Sequence, residues 1–158
     1  FFEVDDKLLK EALEQFVPLK GTGYARMYVE KIADKIIIND CYNANPSSMS
    51  VALNSLKQIS SENQKFTVLG DMRELGEASS EEHLSILKEA INCANMVLIT
   101  GEEFKNAFNS IENKMNVMYF NTKNEIINFL NNNTKANDII LVKGSRGMKM
   151  EEVIGGLK

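Results

Sequence analysis

Ile36-Ile37-Ile38-Asn39-Asp40-Cys41-Tyr42-Asn43-Ala44-Asn45-Pro46-Ser47-Ser48-Met49 is the stretch whose reading decides the fold. Three consecutive isoleucines suit a strand covered on both faces. Asn45 before Pro46 places a capping side chain ahead of a residue favoured at the first helical position. The stretch therefore reads as strand, turn and helix start, with Asp40 near the carboxyl end of a central strand, as a loop aspartate in contact with water. In open α/β sheets ligands bind at that edge, and the free N–H groups of the following helix favour an anion.

Upstream, Met27 to Ile32 and Lys35 to Ile38 are strand-like and separated only by Ala33-Asp34, a gap too short for anything except a hairpin. Downstream, helix and strand patterns alternate: helices over 46–60, 80–94, 102–109 and 125–132 and from 148 onward, strands at 66–69, 96–100, 117–120 and 138–142. Such alternation means parallel strands joined by right-handed crossovers. The expected fold is α/β: a Rossmann-like three-layer domain of five parallel strands plus one antiparallel edge strand, with helices on both faces. Capping boxes are expected at Ser79 with Glu82, Thr100 with Glu103 and Thr122 with Glu125. Asn131-Asn132-Asn133-Thr134 reads as a polar turn. Ahead of the domain, Leu8, Leu9, Ala12, Leu13 and Phe16 form one helical face that Pro18 ends, and Gly21-Thr22-Gly23-Tyr24 reads as a joint.

The 158 residues suffice for one domain with an ordinary core, and 44% hydrophobic content is that of a globular chain. A net charge of −4 with mixed signs provides no basic stripe for nucleic acid or anionic lipid. No apolar run approaches a membrane span, no signal-peptide pattern opens the chain, and the first residue is Phe1 rather than Met. An excised piece of a longer cytoplasmic protein is expected. Cys41 and Cys93 lie far apart, without Cys-x-x-Cys spacing, and are expected to be reduced. Cys93 reads as a core residue of its helix; Cys41 falls in the site loop, where a reactive thiol would need a base that the nearby sequence lacks. The lone His83 reads as a packing or surface residue, and no metal site is expected. Neither Gly-x-x-x-x-Gly-Lys-Ser/Thr nor Gly-x-Gly-x-x-Gly occurs in the required context.

Three stretches, Asn39 to Met49, Val68-Leu69-Gly70-Asp71-Met72-Arg73-Glu74-Leu75-Gly76-Glu77, and Val142-Lys143-Gly144-Ser145-Arg146-Gly147-Met148, follow the ends of parallel strands and so gather on one sheet edge. Singly, each is explained by the needs of turns and caps. In this order they resemble the C-terminal domain of the Mur ligases, ATP-dependent amide-forming enzymes of peptidoglycan synthesis, and among them the members that add D-Ala-D-Ala. The resemblance implies that residues 1–23 are the end of the central ATPase domain and a linker, and 24–158 the Rossmann-like C-terminal domain. It also implies ATP, UDP-N-acetylmuramoyl-tripeptide and D-Ala-D-Ala as substrates, the chain's own central domain as partner, and Mg²⁺ ligands in that missing domain, so that this piece alone is inactive.

Residue by residue, the resemblance gives Asp40 a ribose contact, with Asn43, Asn45 and Arg26 beside the nucleotide. Asn45 is open to a second reading as a helix cap and nothing more. Lys143, Ser145 and Arg146 fall in a stretch that superficially resembles a phosphate loop and are expected near an anionic substrate group. Arg73 or Glu74 could reach the site or pair on the surface. Asn39 stands where many relatives have an acidic residue. Another Mur or folylpolyglutamate-type ligase is an alternative. A receiver-like signalling domain is a remote one, because its third parallel strand should end in an acceptor Asp and this chain has Leu98-Ile99-Thr100-Gly101.

Overall fold

A computed structural model describes residues 26–158; the helix expected over 6–16 and the joint at 21–24 lie outside the described residues. The hairpin forms as expected, with β1 (Tyr28–Ile32) antiparallel to β2 (Lys35–Asp40). Its two turn residues, Ala33 and Asp34, both take positive φ (47° and 64°). That is the turn hand whose twist matches paired strands.

Four further strands, β3 (Lys65–Gly70), β4 (Met96–Thr100), β5 (Val117–Tyr119) and β6 (Ile139–Lys143), complete a six-stranded sheet of order β1-β2-β6-β3-β4-β5. Every pair except β1–β2 is parallel. The last strand thus inserts between the first two parallel ones. Asp40 of β2 lies opposite Lys143 of β6, and Lys143 opposite Leu69 of β3, so the three family-like stretches start from neighbouring strand tips.

Side chains alternate across a strand, and the isoleucine run shows the consequence. Ile38 joins a core with Met49, Leu53 and Leu56 of α1 (Pro46–Gln58), Leu87 of α2 (Ser79–Ile91) and Phe104 of α3 (Glu102–Ser110). Ile37 joins the opposite core with Ile126 and Leu130 of α4 (Lys123–Asn133) and Val153 of α5 (Glu151–Gly155). Both isoleucines are at most 2% exposed, which is what a sheet sandwiched between helices demands.

Of the three expected capping boxes, only that at Thr122 forms: Glu125 N donates to Thr122 Oγ1 (3.3 Å) and Thr122 N to Glu125 Oε2 (3.0 Å). At Ser79 the box fails because a 3-10 turn, Gly76–Ala78, runs directly into α2, which leaves Ser79 inside the helix and Ala78 without a side-chain cap. At Thr100 it fails because Thr100 belongs to β4 and Gly101 opens α3. The cap comes instead from a distant residue: Asp71 accepts from Glu103 N (3.2 Å) and Phe104 N (2.9 Å). The polar turn expected at 131–134 is also corrected. Asn131 to Asn133 stay helical, with the Asn132 and Asn133 amides bonded to the Asn128 and Phe129 carbonyls. Cys93 is buried, but in the turn just after α2 rather than in the helix.

Candidate functional site at the carboxyl edge of the sheet

Adjacent, in-register parallel strands bring the last side chains of β2 and β6 together. Lys143 Nζ donates to Asp40 Oδ2 (2.5 Å) and to the Asn43 carbonyl (2.8 Å), while Asp40 Oδ1 accepts from Met27 N (3.1 Å). The Lys143 and Asp40 side chains are only 2% and 9% exposed. Asp40 is therefore not a water-exposed loop aspartate. Both of its oxygens are engaged inside the protein, and it ties the first loop to the third. The Lys143 ammonium is engaged by the Asp40 carboxylate and the Asn43 carbonyl.

Over this pair lies a cleft of about 530 Å³ whose lining includes Arg26, Tyr42, Asn43, Asn45, Ser47 and Val51. The Arg26 guanidinium sits 4.4 Å over the Tyr42 ring, an attraction between cation and aromatic face. Asn45 proves to be a cap: Ser48 N donates to its Oδ1 (2.9 Å), and Ser48 Oγ accepts from Asn45 N (3.1 Å). Asn43 Oδ1 is likewise taken, by Ala44 N (2.8 Å). Both asparagines are exposed, and their NH₂ groups can donate to a ligand. The structure brings together five of the sequence-derived site residues, Arg26, Asp40, Asn43, Asn45 and Lys143, around one cleft. Tyr42 was missed. Its signal was an aromatic residue among polar loop neighbours, and in the fold it is 44% exposed.

Cys41 is 1% exposed and its thiol is pushed up to about 12, first by burial and then by the nearby Glu151 and Asp40 carboxylates. Its S–H points at the Val142 carbonyl (3.5 Å). It stays a protonated packing residue rather than a nucleophile.

The third loop is not an open phosphate cradle. Ser145 is buried, and its N and Oγ both donate to the Asp71 carbonyl (3.1 and 2.6 Å). Gly144 lies against Gly70 so closely that an added Cβ would sit 3.1 Å from the Gly70 Cα. The second and third loops are thus locked into one rim. Arg146, its side chain 48% exposed, pairs with Glu151 at 3.5 Å and lies on this rim apart from the Asp40 cleft. His83 supports the same rim from below: Met72 N donates to Nε2 (2.9 Å), and Nδ1 donates to the Ser79 carbonyl (2.7 Å). Those partners fix the neutral Nδ1–H tautomer of a fully buried packing histidine. Among the described residues no three His, Cys, Asp or Glu side chains converge to hold a metal ion. Among them, too, no helix is long and apolar enough to cross a membrane.

The family model described as "Mur ligase, glutamate ligase domain" matches residues 25–146. The UDP-N-acetylmuramoyl-tripeptide–D-alanyl-D-alanine ligase of Rickettsia prowazekii is 32% identical over 151 residues, covering 95% of this chain and 32% of that protein. The ligase of the same name from Bacillus subtilis is 30% identical over 152 residues, with 94% and 33% covered. A crystal structure of MurF from Acinetobacter baumannii superposes with a TM-score of 0.77 at 29% identity, over 98% of this chain and 33% of that one. The chain spans about a third of the length of each.

Proposed function

We propose a function from one premise: the chain belongs to the Mur ligase family, as a glutamate ligase domain. Residues 24–158 act as the C-terminal domain of an ATP-dependent ligase that joins D-Ala-D-Ala to UDP-N-acetylmuramoyl-tripeptide, and residues 1–23 are the end of its central ATPase domain and the linker. In such a ligase the tripeptide carboxylate takes the γ-phosphoryl group of ATP, releasing ADP. The dipeptide amine then attacks the acyl phosphate, and inorganic phosphate leaves as the amide forms.

This chain's own part is to bind and orient. The observation that carries the reading is the cleft at the tip of β2, where Arg26 and the NH₂ groups of Asn43 and Asn45 surround a pocket of nucleotide size. These are donors and a cation, the groups that anionic phosphate oxygens and ribose hydroxyls accept from. The Asp40–Lys143 pair forms the floor and holds the Asn43 carbonyl, so Asp40 serves nucleotide binding by fixing the loop. Arg146, on the rim, is placed for an anionic group of the peptide substrate; Ser145 holds the rim together.

Arg26 is exposed, so its replacement separates binding from folding. In the intact ligase Arg26→Ala should raise the Michaelis constant for ATP about tenfold, the loss of one charge-assisted hydrogen bond, and leave the melting temperature unchanged. An unaltered ATP dependence would remove the nucleotide from this cleft.

A further inference from the structure

The amino edge of the sheet, opposite the site, gathers lysines from separate parts of the chain. Because β2, β6, β3, β4 and β5 run parallel, the loops that lead into them share that edge with the hairpin turn at 33–34. Backbone bonds stitch those loops together: Asn137 N donates to the Asp34 carbonyl (2.7 Å), Ile139 N to that of Gln64 (2.9 Å), Asn95 N to that of Lys65 (2.8 Å) and Val97 N to that of Asn116 (2.8 Å). Lys57, Lys65, Lys114, Lys135 and Lys158 stand along it, and none of them enters an ion pair among the described residues. Lys158 is held there by Lys35, whose Nζ donates to its carbonyl (2.8 Å). The exposed acidic residues of the same loops are Glu62, Glu112 and Asp34, and Asp34 is already paired with Lys31 (3.6 Å).

On a chain of net charge −4 this edge stands against an acidic one: the first turns of α2, α3 and α5, at the carboxyl ends of the strands, hold Glu81, Glu82, Glu102, Glu103, Glu151 and Glu152. Helix dipoles do not account for the lysines, since that attraction falls off within the last turn, where Lys57 lies but Lys65, Lys114 and Lys135 do not. Two apolar side chains project from the same edge: Met115, 92% exposed beside Lys114, and Ile59, 36% exposed at the end of α1. Lysines around exposed apolar tips match a surface that is anionic at its face and apolar beneath. A nucleic acid backbone suits the lysines but leaves Met115 and Ile59 without a role. None of the chain's three arginines is on this edge: Arg26 and Arg146 belong to the opposite one, and so does Arg73, whose guanidinium rests on Gly147. Phe108, near this edge, offers bases no open face on which to stack, because Lys114 lies 4.5 Å over its ring and Tyr119 stacks on it at 6.5 Å.

We propose that the amino edge is a docking surface for an anionic lipid bilayer, with Lys57, Lys114 and Lys135 against the phosphate headgroups and Met115 inserted among them. The sequence shows no basic run because these lysines come from different loops, and only the parallel sheet aligns them. Strands of five and six residues span roughly 17–20 Å, so a domain docked this way holds the Asp40 cleft on the side facing away from the bilayer, open to nucleotide. Docking of this kind is peripheral and reversible. The lysines act through a field that decays over a Debye length, about 10 Å at 0.1 M salt, and one methionine supplies little apolar area. The inference is independent of the chemistry at the carboxyl edge.

Cosedimentation of the intact ligase with lipid vesicles is the test. The ligase should bind vesicles of phosphatidylglycerol mixed equally with phosphatidylcholine, leave them as salt is raised, and ignore vesicles of phosphatidylcholine alone. Each lysine near an anionic surface contributes about a fivefold factor in partitioning, so Lys57→Gln, Lys114→Gln and Lys135→Gln together should weaken binding on the order of a hundredfold. Met115→Ser should weaken it by a smaller factor. Lys149→Gln, which removes an exposed lysine beside the third loop, should leave it unchanged. The triple variant should keep the parent's melting temperature and its rate of amide formation in solution, which shows that the fold is intact. A parent that does not bind, equal binding to phosphatidylcholine alone, or a triple variant that binds like the parent overturns the inference. So does lysine-dependent binding to a nucleic acid duplex that is tighter than binding to the vesicles.

Discussion

Asp40→Ala is expected to destabilise the protein by about 3–5 kcal/mol, the range for removing one partner of a buried ion pair. For a chain of this size that lowers the melting temperature by roughly 10 °C or more. The cause is the partner left behind. The Lys143 ammonium is 2% exposed and would retain only the Asn43 carbonyl, and Met27 N would lose its acceptor as well. Replacing both partners by apolar groups removes the stranded charge, so Asp40→Ala with Lys143→Met should recover most of the loss. Thermal or urea unfolding of the single and double variants checks this. A single variant within about 1 kcal/mol of the parent would mean that the pair is solvated and that the first loop is held by other contacts.

Gly101→Ala is expected to cost about 3 kcal/mol, more than Asp71→Ala. Gly101 has φ 110° and ψ 161°, backbone that residues with a Cβ adopt only at a cost of about 1–3 kcal/mol. A Cβ at this position would also collide with the Asp71 carboxylate. It would push that carboxylate off the Glu103 and Phe104 N–H groups and remove the cap of α3, worth a further ~0.5–2 kcal/mol. Asp71→Ala loses the cap without the backbone strain. Unfolding free energies in the reverse order would show that the glycine is not required by this close approach.

The parts of the fold legible in sequence were those set by local pattern. Ile36 to Ile38 announced a strand covered on both faces, Ala33-Asp34 a hairpin, and Asn45-Pro46 a capped helix; each forms as read. What escaped was decided by residues distant in the chain. The Ser79 and Thr100 boxes had the right letters at the right spacing. But one helix start is continuous with a 3-10 turn, and the other is capped by Asp71, some thirty positions upstream. Nothing local at Thr100 could reveal that.

The same contrast holds at the site. Strand ends located Asp40 and Lys143 on one edge, but only the insertion of β6 beside β2 shows that they neutralise each other. Lys143 and Ser145, adjacent to Gly144 and apparently one anion-binding group, point into different contacts: Lys143 to Asp40, Ser145 to the Asp71 carbonyl. Lys143 is the last residue of β6 and Ser145 lies beyond the strand end, where period-two alternation would have kept the two on one side only if the strand continued. Arg73 was open to a surface role or a site role because its seat, Gly147, lies on another loop.

Phosphate release measured on the isolated chain and on the intact ligase that carries it tests the central claim most directly. The isolated chain should fold cooperatively yet release no phosphate from ATP. The intact enzyme should release it only with ATP, UDP-N-acetylmuramoyl-tripeptide and D-Ala-D-Ala all present, one phosphate for each amide formed. ATP turnover by the isolated chain, or release by the intact enzyme that ignores the dipeptide, would contradict it.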